Sequence, residues 1–295
     1  MQSDSVFLII TGQNGEAIMR RFGIAAIVLA LIPALTAGAD GQPVKFARYS
    51  HAGRVAYGIL EGDVLRELNG NFLAGGRPTG KTVKLAEVRL LAPVVPGKVI
   101  AVGLNYKSHL GQQPSASYPG LFAKLPSCII GPEDSIVFPP EAQDVHYEGE
   151  MVVVIGKKAR NVAPENASEY IFGVTAGNDV SERQWQKSDL QWLRAKASDT
   201  FGPLGPVVVK GLNYRDLQLT TRLNGEVRQS QRTADQIFNV DQVVSYVSRF
   251  VTLMPGDLIF TGTPGTTKAM KPGDVVEVEL EGIGTLRNKV AGTGS

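Results

Sequence analysis

The stretch VHYEGEMVVVIGKK, residues 145–158, sets two acids, Glu148 and Glu150, at the head of a run that otherwise has the β-branched composition of a buried strand. Side chains alternate along a strand, so His146, Glu148, Glu150, Val152 and Val154 share one face. Two carboxylates on a core-lining face repel each other, and each is costly to bury without a partner. Either the strand end emerges into water or a cation sits between the acids.

The remainder of the chain is consistent with a sheet-rich fold. Strand-like runs recur as KVIAVGL, MVVVIG, YIFGVTAGND, GPVVVKG, LQLTTRLNG, DLIFTGT and DVVEVELEG. Two of them follow Pro-Gly turns, MPGD and KPGD, in which proline fixes φ and glycine supplies a positive φ. Helical patterns are fewer. Residues 241–253 repeat Val243, Val244, Val247, Phe250 and Val251 at helical spacing, with Asp241 as the expected N-cap, and residues 181–197 form a weaker helical pattern. Ahead of these, residues 43–70 read as a small β meander, with His51 on the surface of its hairpin region. A Pro-rich break places a domain boundary near residue 95. The expected architecture is mixed and mostly β, with a small N-terminal β-rich domain over residues 40–95 and a larger domain over 96–295.

The 295 residues carry a formal net charge of +2, so no basic stripe for nucleic acid is expected. The single cysteine, Cys128, has no internal disulfide partner, and no Cys/His cluster has zinc-finger spacing. Residues 1–39 read as a signal peptide region: two arginines after Met19, an apolar stretch over 22–35, then Ala37-Gly38-Ala39. That stretch is shorter than the roughly 20 residues needed to cross a bilayer. The expectation is an exported chain, periplasmic or secreted, cut before Asp40 and translated from Met19, with no stable membrane insertion after cleavage. A cytoplasmic chain with a buried N-terminal helix is the alternative.

A third acid, Asp179, ends the strand-like run in VTAGNDVSERQWQ, where strand ends commonly carry sites. Together Glu148, Glu150 and Asp179 form a hard oxygen donor set suited to Mg²⁺, Mn²⁺ or Ca²⁺. His146 also permits a zinc reading, His-x-Glu-x-Glu, although ligands so close along one strand are geometrically awkward. No dinucleotide fingerprint, P-loop or nucleophile elbow occurs.

Taken in order, the motifs VGLNYKSH, LFAKLPSCIIGPEDSI, YEGEMVVVIGKKAR, GVTAGNDVSERQWQ, AKASDTFGPLGP, LNGEVRQ, MPGDLIFTGTP and GDVVEVELEGIGTLRN resemble the fumarylacetoacetate hydrolase family over residues 97–290. The resemblance implies a β-roll catalytic domain behind a small N-terminal domain, usually assembled as a homodimer. It implies magnesium or a similar divalent metal on Glu148, Glu150 and Asp179. Arg183 and Gln186, which follow Asp179 on roughly one helix face, match substrate-gripping residues, and Thr263 matches a pocket-lining residue. Lys196 matches an active-site lysine able to stabilise an enolate, and His109 matches the histidine that activates water. A glutamate commonly pairs with that histidine from three residues on; here the position is Gln112, which can orient an imidazole but cannot share its proton. Glu277 is a possible replacement carboxylate. The activity implied is metal-dependent hydrolysis of a C–C bond in a small 2,4-dioxo acid of the acylpyruvate type. Oxaloacetate decarboxylation, isomerisation or tautomerisation of a 2-oxo acid at the same site, and a secreted binding protein without turnover, are the alternatives.

Overall fold

The structure is a computed structural model that describes residues 41–292; residues 1–39, read above as a signal peptide, lie outside the described residues. A twelve-stranded sheet runs through the molecule, accompanied by a five-stranded sheet and a two-stranded ribbon. From the middle of the large sheet to one edge, the strands Gly202–Lys210, Ile171–Asn178, Gly149–Ile155, Leu258–Phe260, Val99–Gly103 and Gly120–Lys124 lie side by side in that order. Their pairings are antiparallel except that of Leu258–Phe260 with Val99–Gly103.

The Gly149–Ile155 strand is buried along its whole length. Met151, Val153 and Ile155 pack in one cluster with Val243 and Val247, while Val152 and Val154 pack in another with Leu204 and Phe260. A strand covered on both faces carries no polar alternation, which is why the run reads as continuously apolar. The acids enter at its open end.

The first strands form the expected meander: Val44–His51, Arg54–Glu61 and Val64–Leu68 pair antiparallel in sequence, and Pro78–Lys84 adds a fourth. His51 is exposed at the first hairpin. The meander does not form a sheet of its own. Val44–His51 hydrogen-bonds to Gly202–Lys210, so the N-terminal strands extend the large sheet.

The main helix spans Val240–Phe250 and buries Val243, Val244 and Val247. Its N-cap is Asn239, not Asp241: Asn239 and Gln242 form a reciprocal capping box. Asp241 instead accepts hydrogen bonds from Tyr214 and Arg215. Phe250 is also displaced from the expected apolar face; it is exposed, with Tyr246 edge-on and Arg249 over its ring. The weaker pattern at 181–197 resolves into two short helices, Arg183–Ser188 and Leu193–Ala197. Both Pro-Gly turns form with Gly256 and Gly273 at positive φ. In each, the aspartate that follows caps its own turn, Asp257 on Met254 N–H and Asp274 on Lys271 N–H.

Candidate metal and substrate site

Sheet register brings the three acids together. Gly149 pairs with Asn178, so Asp179 continues past the strand end beside Glu148, and its N–H donates to the Glu148 carbonyl at 2.8 Å. Asn178 fixes the other side of the junction by accepting from Glu148 N–H at 2.8 Å. One oxygen from each of Glu148, Glu150 and Asp179 lies within 4.8 Å of the other two, and all three residues are at most 4% exposed.

Cations surround this cluster unevenly. Lys196 Nζ donates to Glu148 Oε2 at 2.6 Å and to Asp179 Oδ2 at 2.8 Å. Lys124 Nζ donates to Asp179 Oδ1 at 2.7 Å and also to the Lys196 carbonyl. Arg183 donates to Glu148. Glu150 has no such partner among the described residues; its Oε2 accepts a 2.7 Å bond from Gly262 N–H. Burial alone pushes the Glu148 carboxyl up, but Lys196 and Arg183 outweigh it and hold the group well below the usual carboxylate range. For Glu150, burial is reinforced by the charges of Asp179 and Glu148, and the carboxyl is held well above that range. A buried acid short of a cation, converging with two others, fits a hard divalent ion and supplies only oxygen donors to it.

His146 does not join the cluster. The chain leaves strand geometry between Val145–His146 and Gly149–Ile155, so the parity that put His146 on the acids' face does not hold. Its ring nitrogens are 2.8 Å from Asp144 Oδ1 and 2.8 Å from Thr267 Oγ1, which removes the zinc reading.

The acids form one wall of a cavity of about 370 Å³, which His109, Arg183, Gln186, Lys196 and Thr263 also line. His109 Nδ1 lies 2.5 Å from the Gly265 carbonyl. A carbonyl only accepts, so Nδ1 carries the proton and Nε2 is the free ring nitrogen, 3.6 Å from Glu148 Oε1. The neighbouring Ser108 accepts from Gly265 N–H at 2.9 Å, so both backbone groups of Gly265 hold the His109 segment. Arg183 Nη1 donates to Gln186 Oε1 at 2.7 Å, which joins the two substrate candidates on one short helix. That helix starts at Glu182, whose buried carboxylate caps Trp185 N–H at 2.6 Å. Thr263 donates to the Gly149 carbonyl at 2.8 Å and accepts from Gln229 Nε2 at 2.8 Å, tying the TGTP turn to the strand that bears the acids.

Two sequence candidates lie elsewhere. Gln112 is exposed and outside the cavity lining, where the next residue, Gln113, takes the place at the wall. Glu277 sits in the Val275–Leu280 strand of the five-stranded sheet, 3.8 Å from Arg287, and does not line the cavity. Among the described residues, no carboxylate other than Glu148 lies within ion-pair distance of the His109 ring. The residues that sequence reasoning passed over are Lys124, Gln113, Gln229 and the aromatic pair Phe122–Trp192, whose rings meet edge-on at 5.3 Å against the cavity. Of these, Lys124 left a trace, a lone lysine in the apolar run LFAKL.

A mostly β fold with a buried carboxylate cage at the end of its central strands, opening on a cavity with arginine, lysine and histidine, is the arrangement of an enzyme acting on small molecules, with an acid cluster able to hold a metal. The chain belongs to the fumarylacetoacetate hydrolase family: "Fumarylacetoacetate (FAA) hydrolase C-terminal" matches residues 98–291, and "Rv2993c-like, N-terminal" matches residues 44–93. Among relatives, Protein Rv2993c of Mycobacterium tuberculosis is 40% identical over 264 residues, covering 85% of this chain and 99% of its own length. Oxaloacetate tautomerase FAHD2A of Bos taurus is 43% identical over 220 residues, 70% of each chain. Among solved structures, 2-hydroxyhepta-2,4-diene-1,7-dioate isomerase from Mycobacterium marinum superposes with a TM-score of 0.80 at 40% identity, covering 85% of this chain and all of that one.

Proposed function

We propose that this chain is a divalent-metal-dependent enzyme that interconverts the keto and enol forms of a small 2-oxo acid, with oxaloacetate as the first substrate to test. The observation that carries this reading is the partner of His109 Nδ1: a backbone carbonyl rather than a carboxylate. It fixes one tautomer and leaves Nε2 facing the acids as a base, able to take a proton from the carbon next to the oxo group and to return one. Arg183 and Gln186 bind the substrate carboxylate, and Lys196 offers an ammonium to charge developing on the oxo oxygen. A divalent cation held by Glu148, Glu150 and Asp179, magnesium by preference over manganese or calcium, supplies Lewis-acid polarisation of the oxo group. The relatives named as an oxaloacetate tautomerase and a dienedioate isomerase support this choice.

Hydrolysis of a 2,4-dioxo acid would use the same anchors but adds an activated water, for which a carboxylate beside His109 is the usual aid. Gln112 is neutral and exposed, so enolisation is the better fit. The same reading takes the mature chain as exported and homodimeric, which cell fractionation and light scattering test.

The deciding experiment gives the full chain oxaloacetate or an acylpyruvate, with Mg²⁺ or a chelator. Chelator-sensitive loss of enol absorbance without pyruvate supports the tautomerase. Pyruvate plus a carboxylic acid from the acylpyruvate would put the hydrolase in its place. Release of CO₂ from oxaloacetate would select decarboxylation, and no turnover despite metal binding would leave a binding protein. His109→Asn should cut kcat by about 10²–10⁴-fold, the usual worth of a positioned base.

A further inference from the structure

We propose that a hydrogen-bonded chain, Asp144–His146–Thr267, holds the Arg183 guanidinium in its substrate-binding position, so that His146 and Thr267 are positioning residues for the substrate carboxylate. The inference rests on the 2-oxo acid reading of the site.

With the imidazole neutral, every bond in the chain has one direction. Asp144 Oδ1 lies 2.8 Å from His146 Nε2, and a carboxylate only accepts, so Nε2 carries the proton. The opposite ring nitrogen, Nδ1, is then an acceptor, and Thr267 Oγ1 at 2.8 Å donates to it. With its single proton committed to His146, the Thr267 hydroxyl accepts from Arg183 Nη2 at 3.0 Å. No member is left with a mismatched donor or acceptor.

The chain also closes on itself. Arg183 N–H donates to the Asp144 carbonyl at 2.9 Å, so the residue whose side chain ends the chain is tied through its backbone to the residue that starts it. Glu182 accepts from Asp144 N–H at 2.9 Å and caps the helix that carries Arg183. Backbone and guanidinium of Arg183 are therefore both referenced to Asp144. Nη2 is shared between Thr267 and Glu148, and Nη1 is held by Gln186. An arginine clamped at both terminal nitrogens has little rotamer freedom left to lose when a carboxylate binds. This gives His146 a purpose: it lies two residues before Glu148 yet contributes no oxygen or nitrogen to the acid cluster.

The test compares Thr267→Val, which keeps the shape and removes the hydroxyl, with Thr267→Ser, which keeps it, in the full chain. Three quantities are read: Mn²⁺ affinity by electron paramagnetic resonance, affinity of the Mn²⁺-loaded chain for oxalate by calorimetry, and KM and kcat on oxaloacetate. For Thr267→Val the expected result is a loss of about tenfold in oxalate affinity, the worth of one net hydrogen bond, with a matching rise in KM. Its kcat and Mn²⁺ affinity stay near wild type, and Thr267→Ser restores both oxalate affinity and KM. Wild-type oxalate affinity and KM in Thr267→Val would overturn the chain alone. A parallel fall in Mn²⁺ affinity would overturn it too, by showing that these residues brace the acids rather than Arg183. If the unmodified chain binds no oxalate and turns over no 2-oxo acid, the functional reading fails first, and that outcome is distinct from the other two.

Discussion

Lys196 Nζ stands 2.6 Å from Glu148 Oε2, so an internal ammonium already occupies the edge of the acid cluster that a divalent cation would share. The lysine and a bound divalent cation would be partners in one charge balance. Burial pulls the Lys196 ammonium down, but Asp179 and Glu148 outweigh it and hold the group above its ordinary value.

Removing that ammonium tests the balance. Lys196→Met leaves Glu148 and Asp179 buried with less compensation, and breaking a buried pair by deleting one partner costs about 3–5 kcal/mol. The metal-free variant should melt well below the wild type. Because a cation bound only to the folded state adds stability by mass action, saturating Mg²⁺ should raise its melting temperature by more than it raises that of the wild type. Calorimetric melts with and without Mg²⁺ check this, and equal Mg²⁺ shifts in the two proteins would refute it.

Glu150 predicts a pH dependence of the opposite sign from the usual acid denaturation. Its folded value lies well above the ordinary 4.5, so the folded metal-free chain binds a proton that the unfolded chain does not in the window from 4.5 up to that raised value. Stability therefore rises as pH falls through that window. Glu148 has a folded value well below 4.5, so its contribution is present above 4.5 and lost as pH falls further. These two groups together should make the metal-free chain gain stability as pH falls towards 4.5 and lose it below. Glu150→Gln should remove the rise and weaken Mn²⁺ binding by more than about 100-fold, beyond the 10–100-fold typical of outer-shell partners. Urea titrations across pH and Mn²⁺ titrations read the two effects.

The acid cage was legible in the sequence because its signal is local: a strand cannot bury Glu148 and Glu150 without compensation, and Asp179 ends a strand-like run. What supplies the compensation was not legible. Lys124 reaches Asp179 across 55 positions of sequence, and a single lysine in LFAKL looks like a strand end in water until the pairing of Gly120–Lys124 beside Val99–Gly103 carries it inward. The Gly265 carbonyl that orients His109 lies 156 positions away and carries no side-chain signature at all. Strand parity misled at His146 because the strand breaks before Glu148, and the capping box at Asn239 won over Asp241 because Gln242 returns a hydrogen bond to the cap.

The two glutamines beside His109 should separate in kinetics. Gln112 is exposed and off the cavity wall, so Gln112→Ala is expected to leave kcat and KM on oxaloacetate within about twofold, as surface substitutions away from structural features do. Gln113 lines the cavity, and Gln113→Ala should raise KM severalfold with a smaller effect on kcat. The reverse order of effects would mean that the segment rearranges when substrate binds and brings Gln112 inward.

Gly149, between the two glutamates, sets how closely the acid-bearing strand approaches the five-stranded sheet. A Cβ added there would meet Thr221 Oγ1 at 1.9 Å, with Thr221 Cβ and Val278 Cγ1 at 3.2 and 3.3 Å. No rotamer of Thr221 relieves the contact to its Cβ, so the two strands must part by a few tenths of an ångström, at a cost of about 1–3 kcal/mol for an overpacked core. The displacement would fall on Glu148, Glu150 and the Thr263–Gly149 hydrogen bond together. Gly149→Ala should therefore lose Mn²⁺ affinity as well as stability, although alanine adds no charge and touches no metal. Adding Thr221→Ala removes the closest atom and should recover part of both losses; a double variant no better than Gly149→Ala alone would place the strain elsewhere than in this contact.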